Sequence, residues 1–533
     1  MDKSQADTMR QAQALAQAGD MAQAETLYRA MIAADPHCHP AFQELGLLAF
    51  NAGNLPAAAA LFQRAIEIDS QIALYHRNFG EIARRLARFD AAVQAGRRAC
   101  RLAPADIDAH FNLALAYSDA KMTSDAAQTF RRVLALQHET SPNGQLSAPL
   151  LNMRGNILQK LDRFDEARAS YERALELKPD FPTALNGLGS LLKLLGLAQQ
   201  AGECFSRALQ LDHGFAEARL NLGMVQLYLG QWQAGWENYE ARWTGSSEHN
   251  NGTFLRPHCP LPQWNGQAEV GEQGLLVYAE QGFGDTLQFS RYLALAAQRF
   301  ARIGFVCPLP NLLGLMERSF GDTVLVLKQM PTDFGSWQWH CPLMSLPRAF
   351  NTQPDTVPAP IPYIQVAQPA RDYWRDRLQQ RAKTPFRIGV AWAGRRSHQS
   401  DARRSLRFEQ LLPLMKDARI TWVSLQKQEA GDSVACGTHW IDWTSELVDF
   451  ADTAALAVNL DLVVSVDSAM VHLAGALGIP VWMLNRFDSD WRWIEHREHS
   501  PWYPDLRIFN QSRSGDWVGV IQAVQGALLA LQD

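Results

Sequence analysis

The chain has 533 residues, too many for one hydrophobic core, and at ~100–200 residues per domain it predicts about three domains. Its 47% apolar and 20% charged residues give the balance of a soluble globular protein, not of a membrane or disordered one. With 50 Lys and Arg against 55 Asp and Glu it has no net positive field to gather phosphate backbones, which argues against nucleic acid as a partner.

The N-terminus, MDKSQADTMRQ, has no apolar run behind a basic start, and no window reaches 18 uninterrupted apolar residues, so neither secretion nor a membrane span is expected. The seven cysteines are scattered and never spaced as C-x-x-C, which predicts reduced thiols in a cytoplasmic protein.

In the first 245 residues small residues recur at a fixed interval. Gly46, Gly80 and Ala114 are 34 apart, as are Gly155, Gly189 and Gly223, with a step of 41 between the sets that marks a seven-residue insertion. A second series runs Ala24, Ala58, Ala92, Ala126, Ala167, Ala201, Gly235, and four residues beyond its members lie Tyr28, Phe62, Gly96, Phe130, Tyr171, Phe205 and Tyr239. Residues four apart share a helix face, so each small residue admits a neighbouring helix and most of the paired positions fill the groove beside it with an aromatic ring. Pro36, Pro104 and Pro179 then end their repeats. The pattern resembles the tetratricopeptide repeat, which implies about seven stacked helical hairpins, an α solenoid, with the insertion at SPNGQLS (141–147) as a rim loop.

A solenoid of this kind presents a concave surface that grips a polypeptide. One register reads Glu44, Asn78, Asn112, Met153, Gly187, Asn221. The amides of Asn78, Asn112 and Asn221 carry donor and acceptor together and suit the backbone of an extended acceptor peptide, or they are solvated asparagines on a helix surface.

Residues 246–273 mix Gly, Pro, Ser and Asn without apolar period and read as a linker or strap. From Gly274 the chain alternates short apolar runs with amphipathic helices: LLVYA, RIGFVCP and TVLVLK, then RIGVAWA, TWVSLQ, LDLVVSV and PVWMLN, the two sets parted by a proline-rich stretch at 353–372. This alternation predicts α/β units with parallel sheets, over 274–362 and 363–533.

Three segments carry candidate chemistry. In AEQGFGDTLQFSRY (279–292), Gly282 and Gly284 allow a tight turn into a helix; Asp285 is either the helix cap, with Gln288 three residues on, or a functional carboxylate. In SVDSAMVHLAGALG (465–478), Asp467 either accepts from sugar or ribose hydroxyls or caps the helix. The amides near Ser468, Ala469 and Met470 suit a diphosphate, and His472 either donates to a phosphate or is structural. In AWAGRRSHQSDARRSLRFEQL (391–411), a strand ends at Gly394 before a loop holding Arg395, Arg396, Arg403 and Arg404, whose guanidinium forks match phosphates or are merely solvated. SLQKQE (424–429) delivers Gln426 and Lys427 at the next strand end. Asp488, Ser489 and Asp490 spell D-x-D but fall after the last expected strand, and His496 with His499 lacks a third ligand, so no metal site is expected.

Together with HCPLMSLP (340–347) and DWRWIEHREHSPWYP (490–504), these segments resemble the glycosyltransferase family 9, the heptosyltransferase-like group with two facing Rossmann-like domains of the GT-B fold, in a bacterial subgroup that follows tetratricopeptide repeats. The resemblance implies an acceptor-side domain over 274–362 and a nucleotide-sugar domain over 363–533. It implies Asp285 as catalytic base, Gly282 and Gly284 on the acceptor side, and donor binding by Asp467, Ser468, Ala469, Met470 and His472, with Gly394, Gln426, Lys427 and either Arg403 or Arg404 beside them. The expected activity is metal-independent, inverting transfer of a sugar from a nucleotide sugar to a hydroxyl of a protein held by the repeats, such as flagellin or another surface protein, with no cofactor besides the co-substrate. Two alternatives stand beside it: a transferase for lipopolysaccharide-core sugars, and a repeat scaffold whose α/β half has lost catalysis.

Overall fold

The computed structural model describes residues 3–141, 146–246, 256–266, 270–358, 360–396, 400–427, 437 and 439–531. The middle of the expected rim loop, residues 247–255 and 267–269 of the strap, His398 in the basic loop, Gln428 and Glu429 after Lys427, and Cys436 lie outside them. The chain forms two compact units: Met1–Leu191 with Arg207–Phe215 and Trp243–Leu255, and Leu192–Ser206 with Ala216–Arg242 and Arg256–Asp533.

The first unit is a run of helical hairpins: Lys3–Gln17 with Met21–Ala34, His39–Asn51 with Leu55–Ile68, Ala73–Arg85 with Phe89–Leu102, Ile107–Asp119 with Thr123–Thr140, and Ala148–Lys160 with Phe164–Leu177. The small-and-aromatic pattern explains the stacking. Ala24, Ala58, Ala92 and Ala167 are fully buried, and rings stand where the glycines leave room: a methyl on Gly46 would lie 2.9 Å from the Phe62 ring, and one on Gly155 or Gly187 would lie 2.6 Å from that of Tyr171. Side-chain caps start several helices, Asp20 on Gln23 N–H, Asn54 on Ala57 N–H and Asp106 on Ala109 N–H. The insertion enters this unit partly as helix, since Thr123–Thr140 runs for 18 residues where Phe164–Leu177 runs for 14.

The last hairpin, Ala216–Tyr228 with Trp232–Tyr239, belongs by its packing to the second unit. Trp232 and Trp236 are almost wholly buried in one cluster with Phe289, Trp491 and Trp502; Trp232 stacks on Trp502 at 5.1 Å and Trp236 meets Trp491 edge-on at 5.4 Å. Burial of an indole removes roughly 150–250 Å² from water, up to about 4–6 kcal/mol each, so this hairpin is integral to the unit.

Two all-parallel sheets follow. The first holds β1 (Gly274–Tyr278), β2 (Arg302–Val306), β3 (Leu325–Leu327) and β4 (Trp339–Pro342) in the order β3-β2-β1-β4. The second holds β5 (Phe386–Ala391), β6 (Ile420–Ser424), β7 (Trp440–Ile441), β8 (Leu462–Val466), β9 (Val481–Asn485) and β10 (Leu506–Asn510) in the order β10-β9-β8-β5-β6-β7. Central strands β1, β6, β8 and β9 are buried at every residue, as helices on both faces of a parallel sheet require, and this is why they read as continuous apolar runs. The short edge or late strands β4, β7 and β10 are additions to the expected set. Because β10 follows it, the Asp488–Asp490 stretch is a loop between two strands, not a tail after the last one. Among the described residues no disulfide is formed, and no helix is long and apolar enough to cross a membrane.

Candidate functional site

The second unit brings the two glycine-marked turns together. β1 ends in Ala279-Glu280-Gln281, and Gly282 opens the helix Phe283–Phe289. Asp285 is the third residue of that helix, not its cap as its position suggested, and it reaches back so that Oδ2 accepts from Gly282 N–H at 3.0 Å. Its other oxygen, Oδ1, accepts from Arg492 Nη2. Gln288 is fully buried, and its Oε1 accepts from Arg492 Nε at 2.8 Å. Asp285 therefore combines a reach-back contact to the N-cap backbone with an ion pair. Burial pushes its carboxyl above the ordinary range, Arg492 pulls it back and Asp490 adds to the rise.

At the facing sheet, β8 ends at Val466 and Ser468 caps the helix Ala469–Ala476, its Oγ accepting from Met470 N–H at 3.3 Å. The two helices touch where Gly284 has no side chain: a methyl there would lie 3.0 Å from His472 Cδ2 and 3.6 Å from Ala469 Cα. His472 is buried, its Nδ1 is 3.1 Å from the Tyr503 hydroxyl and its ring stacks on Trp493 at 5.5 Å. Burial, with Arg492 adding to it, lowers its pKa to about 3, so the imidazole is neutral. Asp467 is half-buried, and its carboxylate makes no hydrogen bond or ion pair with the described residues. Burial pushes its carboxyl up, Asp490 adds to this, and Arg486 and Arg404 oppose.

The paired arginines of the basic loop part company. Arg404 covers Gly394, where a Cβ would fall 2.3 Å from its Nη2, and its Nη1 lies 3.5 Å from the Asp467 carbonyl oxygen, across adjacent strands β5 and β8. Arg403 turns to Asp488, with Nε 3.3 Å from Oδ2. Gln426 holds the end of β5, its Oε1 accepting from Trp392 N–H at 3.1 Å and Ala393 N–H at 2.9 Å, while the Lys427 ammonium donates to the Leu447 carbonyl. Gly394 N–H donates to Ser405 Oγ at 3.0 Å. Asp285, Gly284, Ala469 and His472 thus meet at one seam, and Gly394, Arg404, Asp467 and Ser468 cluster at the carboxyl ends of β5 and β8. Asn78 and Asn112 lie in the first unit, half-buried, their amides without a hydrogen bond among the described residues, while Asn221 is on the helix Ala216–Tyr228 of the second.

Several residues escaped the sequence reading. Arg492 ties Asp285 and Gln288 to Asp490, donating Nη1 to Asp490 Oδ1 at 2.8 Å and lying 4.2 Å over the Trp491 ring. Despite burial, Arg492 and Arg486 hold Asp490 well below the usual carboxylate range. An arginine set between tryptophans in DWRW was the available signal, since a guanidinium in an apolar run needs a buried partner. Arg242, just past the last hairpin, is the second: it donates Nε to Glu280 Oε2 at 2.8 Å, Nη2 to Glu280 Oε1 at 3.0 Å and Ser345 Oγ at 2.7 Å, and Nη1 to Glu240 Oε1 at 2.7 Å.

Comparison with known proteins bears on the two halves unequally. Tetratricopeptide-repeat profiles match residues 9–73, 44–107, 108–136 and 155–196. Protein FlbA of Caulobacter vibrioides is 25% identical over 536 residues, spanning 96% of this chain and 82% of that protein. The human protein O-mannosyl-transferase TMTC3 is 26% identical over 132 residues, 23% of this chain but 14% of that protein, and the likeness covers the repeat region alone. Among solved structures, a thermophilic tetratricopeptide-repeat protein of Thermus thermophilus matches 36% of this chain and all of its own at 21% identity and a TM-score of 0.32. A repeat protein of Parabacteroides merdae matches 47% of this chain and 98% of its own at 14% and 0.38. The chain carries tetratricopeptide repeats in its N-terminal half, followed by an α/β part with parallel sheets.

Proposed function

We propose that the α/β half is a GT-B-type glycosyltransferase that moves a sugar from a nucleotide-sugar donor to a hydroxyl of a protein held by the repeats, with inversion and without need of a metal. The observation that carries this reading is the approach of the two strand-end turns, with Gly284 against Ala469 and His472, so that the Asp285 carboxylate belongs to one turn and the helix-start amides after Ser468, with Arg404 on the Asp467 carbonyl, to the other. Asp285 takes the proton of the acceptor hydroxyl as its oxygen bonds to the anomeric carbon and the bond from that carbon to the diphosphate breaks. The departing diphosphate keeps the electron pair, and Arg404 with the amides following Ser468 stabilises its charge. A base raised above the usual carboxylate range by burial suits proton transfer near neutral pH better than an exposed aspartate does. Arg492 orients it. Gln426 and Lys427, bonded to the backbone beside β5 and β6, brace the loops around the donor.

The repeats, and the protein O-mannosyl-transferase name borne by relatives that share the repeat region, support a protein acceptor. Flagellin and other surface proteins are the first acceptors to try. Two measurements test the reading. Thermal stabilisation of the full chain by a panel of UDP-, GDP-, ADP- and CMP-sugars identifies the donor. With that donor, Asp285→Asn is expected to bind it within about threefold of the wild type while transfer, read as a sugar-sized mass gain on the acceptor, falls by ~10³ or more. Turnover near the wild-type rate in Asp285→Asn refutes the base assignment, and stabilisation by none of the panel refutes the transferase.

A further inference from the structure

Two cations of the second unit, Arg486 and Lys193, stand where the turn after the helix Pro182–Leu194 meets the 486–488 loop. Arg486 follows β9 directly, is 8% exposed, and its Nε and Nη1 are buried with no hydrogen-bond partner. Its one ion contact is 3.7 Å from Nη1 to Asp488 Oδ2, an oxygen that lies closer to Arg403 Nε at 3.3 Å. Asp490 acts on Arg486 through its charge, but its Oδ1 accepts from the backbone N–H and Nη1 of Arg492 and it takes no hydrogen bond from Arg486.

Lys193 is the second of these cations. It stands in the last turn of the repeat helix Pro182–Leu194, half-buried, and its ammonium makes no hydrogen bond or ion pair with the described residues. Three residues on, Gly196 closes on the Phe487 ring, where a methyl would lie 3.0 Å from Cζ, so this turn seats on the 486–488 loop. Phe487 is fixed in turn by its N–H to Gln511 Oε1 at 3.2 Å. Burial depresses the Lys193 ammonium, Asp490 opposes and Arg486 adds to the depression.

The carboxylates of Asp467, Asp488 and Asp490 act on these cations through their charge, yet none accepts a hydrogen bond from the buried Nε and Nη1 of Arg486, and buried N–H groups without an acceptor are costly. The unmet N–H groups of Arg486, with Lys193 on the turn seated against the 486–488 loop, fit an oxyanion acceptor. We infer that Lys193 and Arg486 bind an oxyanion, the diphosphate of the donor, so that a residue of a repeat helix completes the nucleotide-sugar site. The inference rests on the proposed transferase reading and adds two residues to it. Arg486 follows β9, which pairs with β8, and Arg404 reaches the Asp467 carbonyl just after β8, so both guanidinium groups belong to the carboxyl ends of neighbouring strands.

Calorimetric titration of the full chain with sodium pyrophosphate tests this, comparing wild type, Lys193→Met, Arg486→Met, Lys193→Arg and the exposed control Lys383→Met. Lys193→Met and Arg486→Met are each expected to weaken pyrophosphate ~10-fold or more, while Lys193→Arg and Lys383→Met stay within about threefold. Without ligand, Lys193→Met is expected to melt no lower than the wild type, because the Lys193 ammonium makes no hydrogen bond or ion pair with the described residues. Pyrophosphate binding by Lys193→Met within twofold of the wild type overturns the inference. So does absence of pyrophosphate binding by the wild type, or a ligand-free Lys193→Met that melts several degrees lower. The nucleotide-sugar panel separates this from the transferase reading. If nucleotide sugars bind wild type and variants alike, the anion pair fails and the transferase stands; if pyrophosphate binds through the pair but no nucleotide sugar does, the pair stands and the transferase fails.

Discussion

Replacing Arg242 by methionine strips Glu280 of its cation while leaving it buried. Both side chains are 1% exposed, so water cannot take over. Of the bonds to the Glu280 carboxylate, the two from Arg242 disappear and the one from Met344 N–H, at 3.0 Å to Oε1, remains. Breaking a buried pair from one side costs about 3–5 kcal/mol, and for a unit of this size about 1.5 °C of melting temperature per kcal/mol gives a fall of about 4–8 °C. Glu280→Gln is expected to cost less, because Arg242 keeps Glu240 and Ser345. The double variant Arg242→Met/Glu280→Met removes both charges and is expected to recover much of the loss, a coupling that additive single effects cannot give. Tryptophan fluorescence follows the transition, since Trp232, Trp236, Trp491 and Trp502 share the adjoining core. A melting temperature for Arg242→Met within about 2 °C of the wild type, or a double variant less stable than Arg242→Met, would show that the pair does not hold the unit together.

Two further outcomes concern protons. His472 is held neutral with its pKa lowered to about 3, whereas in the unfolded chain it titrates near ~6.5. Below that pH the unfolded state binds the extra proton, so stability falls as pH drops from about 6.5 towards 3 by up to ~1.4 kcal/mol per unit from this residue; His472→Gln should flatten that slope in a urea series, and an unchanged slope would contradict a buried neutral ring. Asp490 raises Asp285 by like charge, and removing it also frees Arg492 to hold Asp285 more closely. In Asp490→Asn the acid limb of kcat/KM for transfer is therefore expected to move to lower pH, and a shift upward would refute the arrangement.

The solenoid was legible in the sequence because its packing repeats: the same alanine, glycine and ring serve each hairpin, and the interval of 34 is the length of one hairpin. The strand-end turns were legible for a related reason, since a buried parallel strand must be apolar throughout and the glycines mark where backbone meets backbone, as Gly284 meets Ala469. Arg492 was not, because its partner Asp285 is 207 residues away and no local pattern joins them. The two arginines of the DARR segment were indistinguishable in sequence, and the turn of a four-residue helix sends one to Asp467 and the other to Asp488. The last hairpin shows a different limit. Trp232 and Trp236 keep the helical period of a repeat, and that period is the same whether the apolar face meets another hairpin or the core of an α/β unit.

That hairpin bears on engineering. A recombinant catalytic fragment begun after residue 245, where the repeat pattern stops, would lose Arg242 and the tryptophans of the Trp232–Tyr239 helix and leave Glu280 and the Trp491–Trp502 cluster bare. A graft that exchanges the N-terminal hairpins has to be spliced upstream of Leu192, so that the last hairpin travels with the sheets as their own buttress.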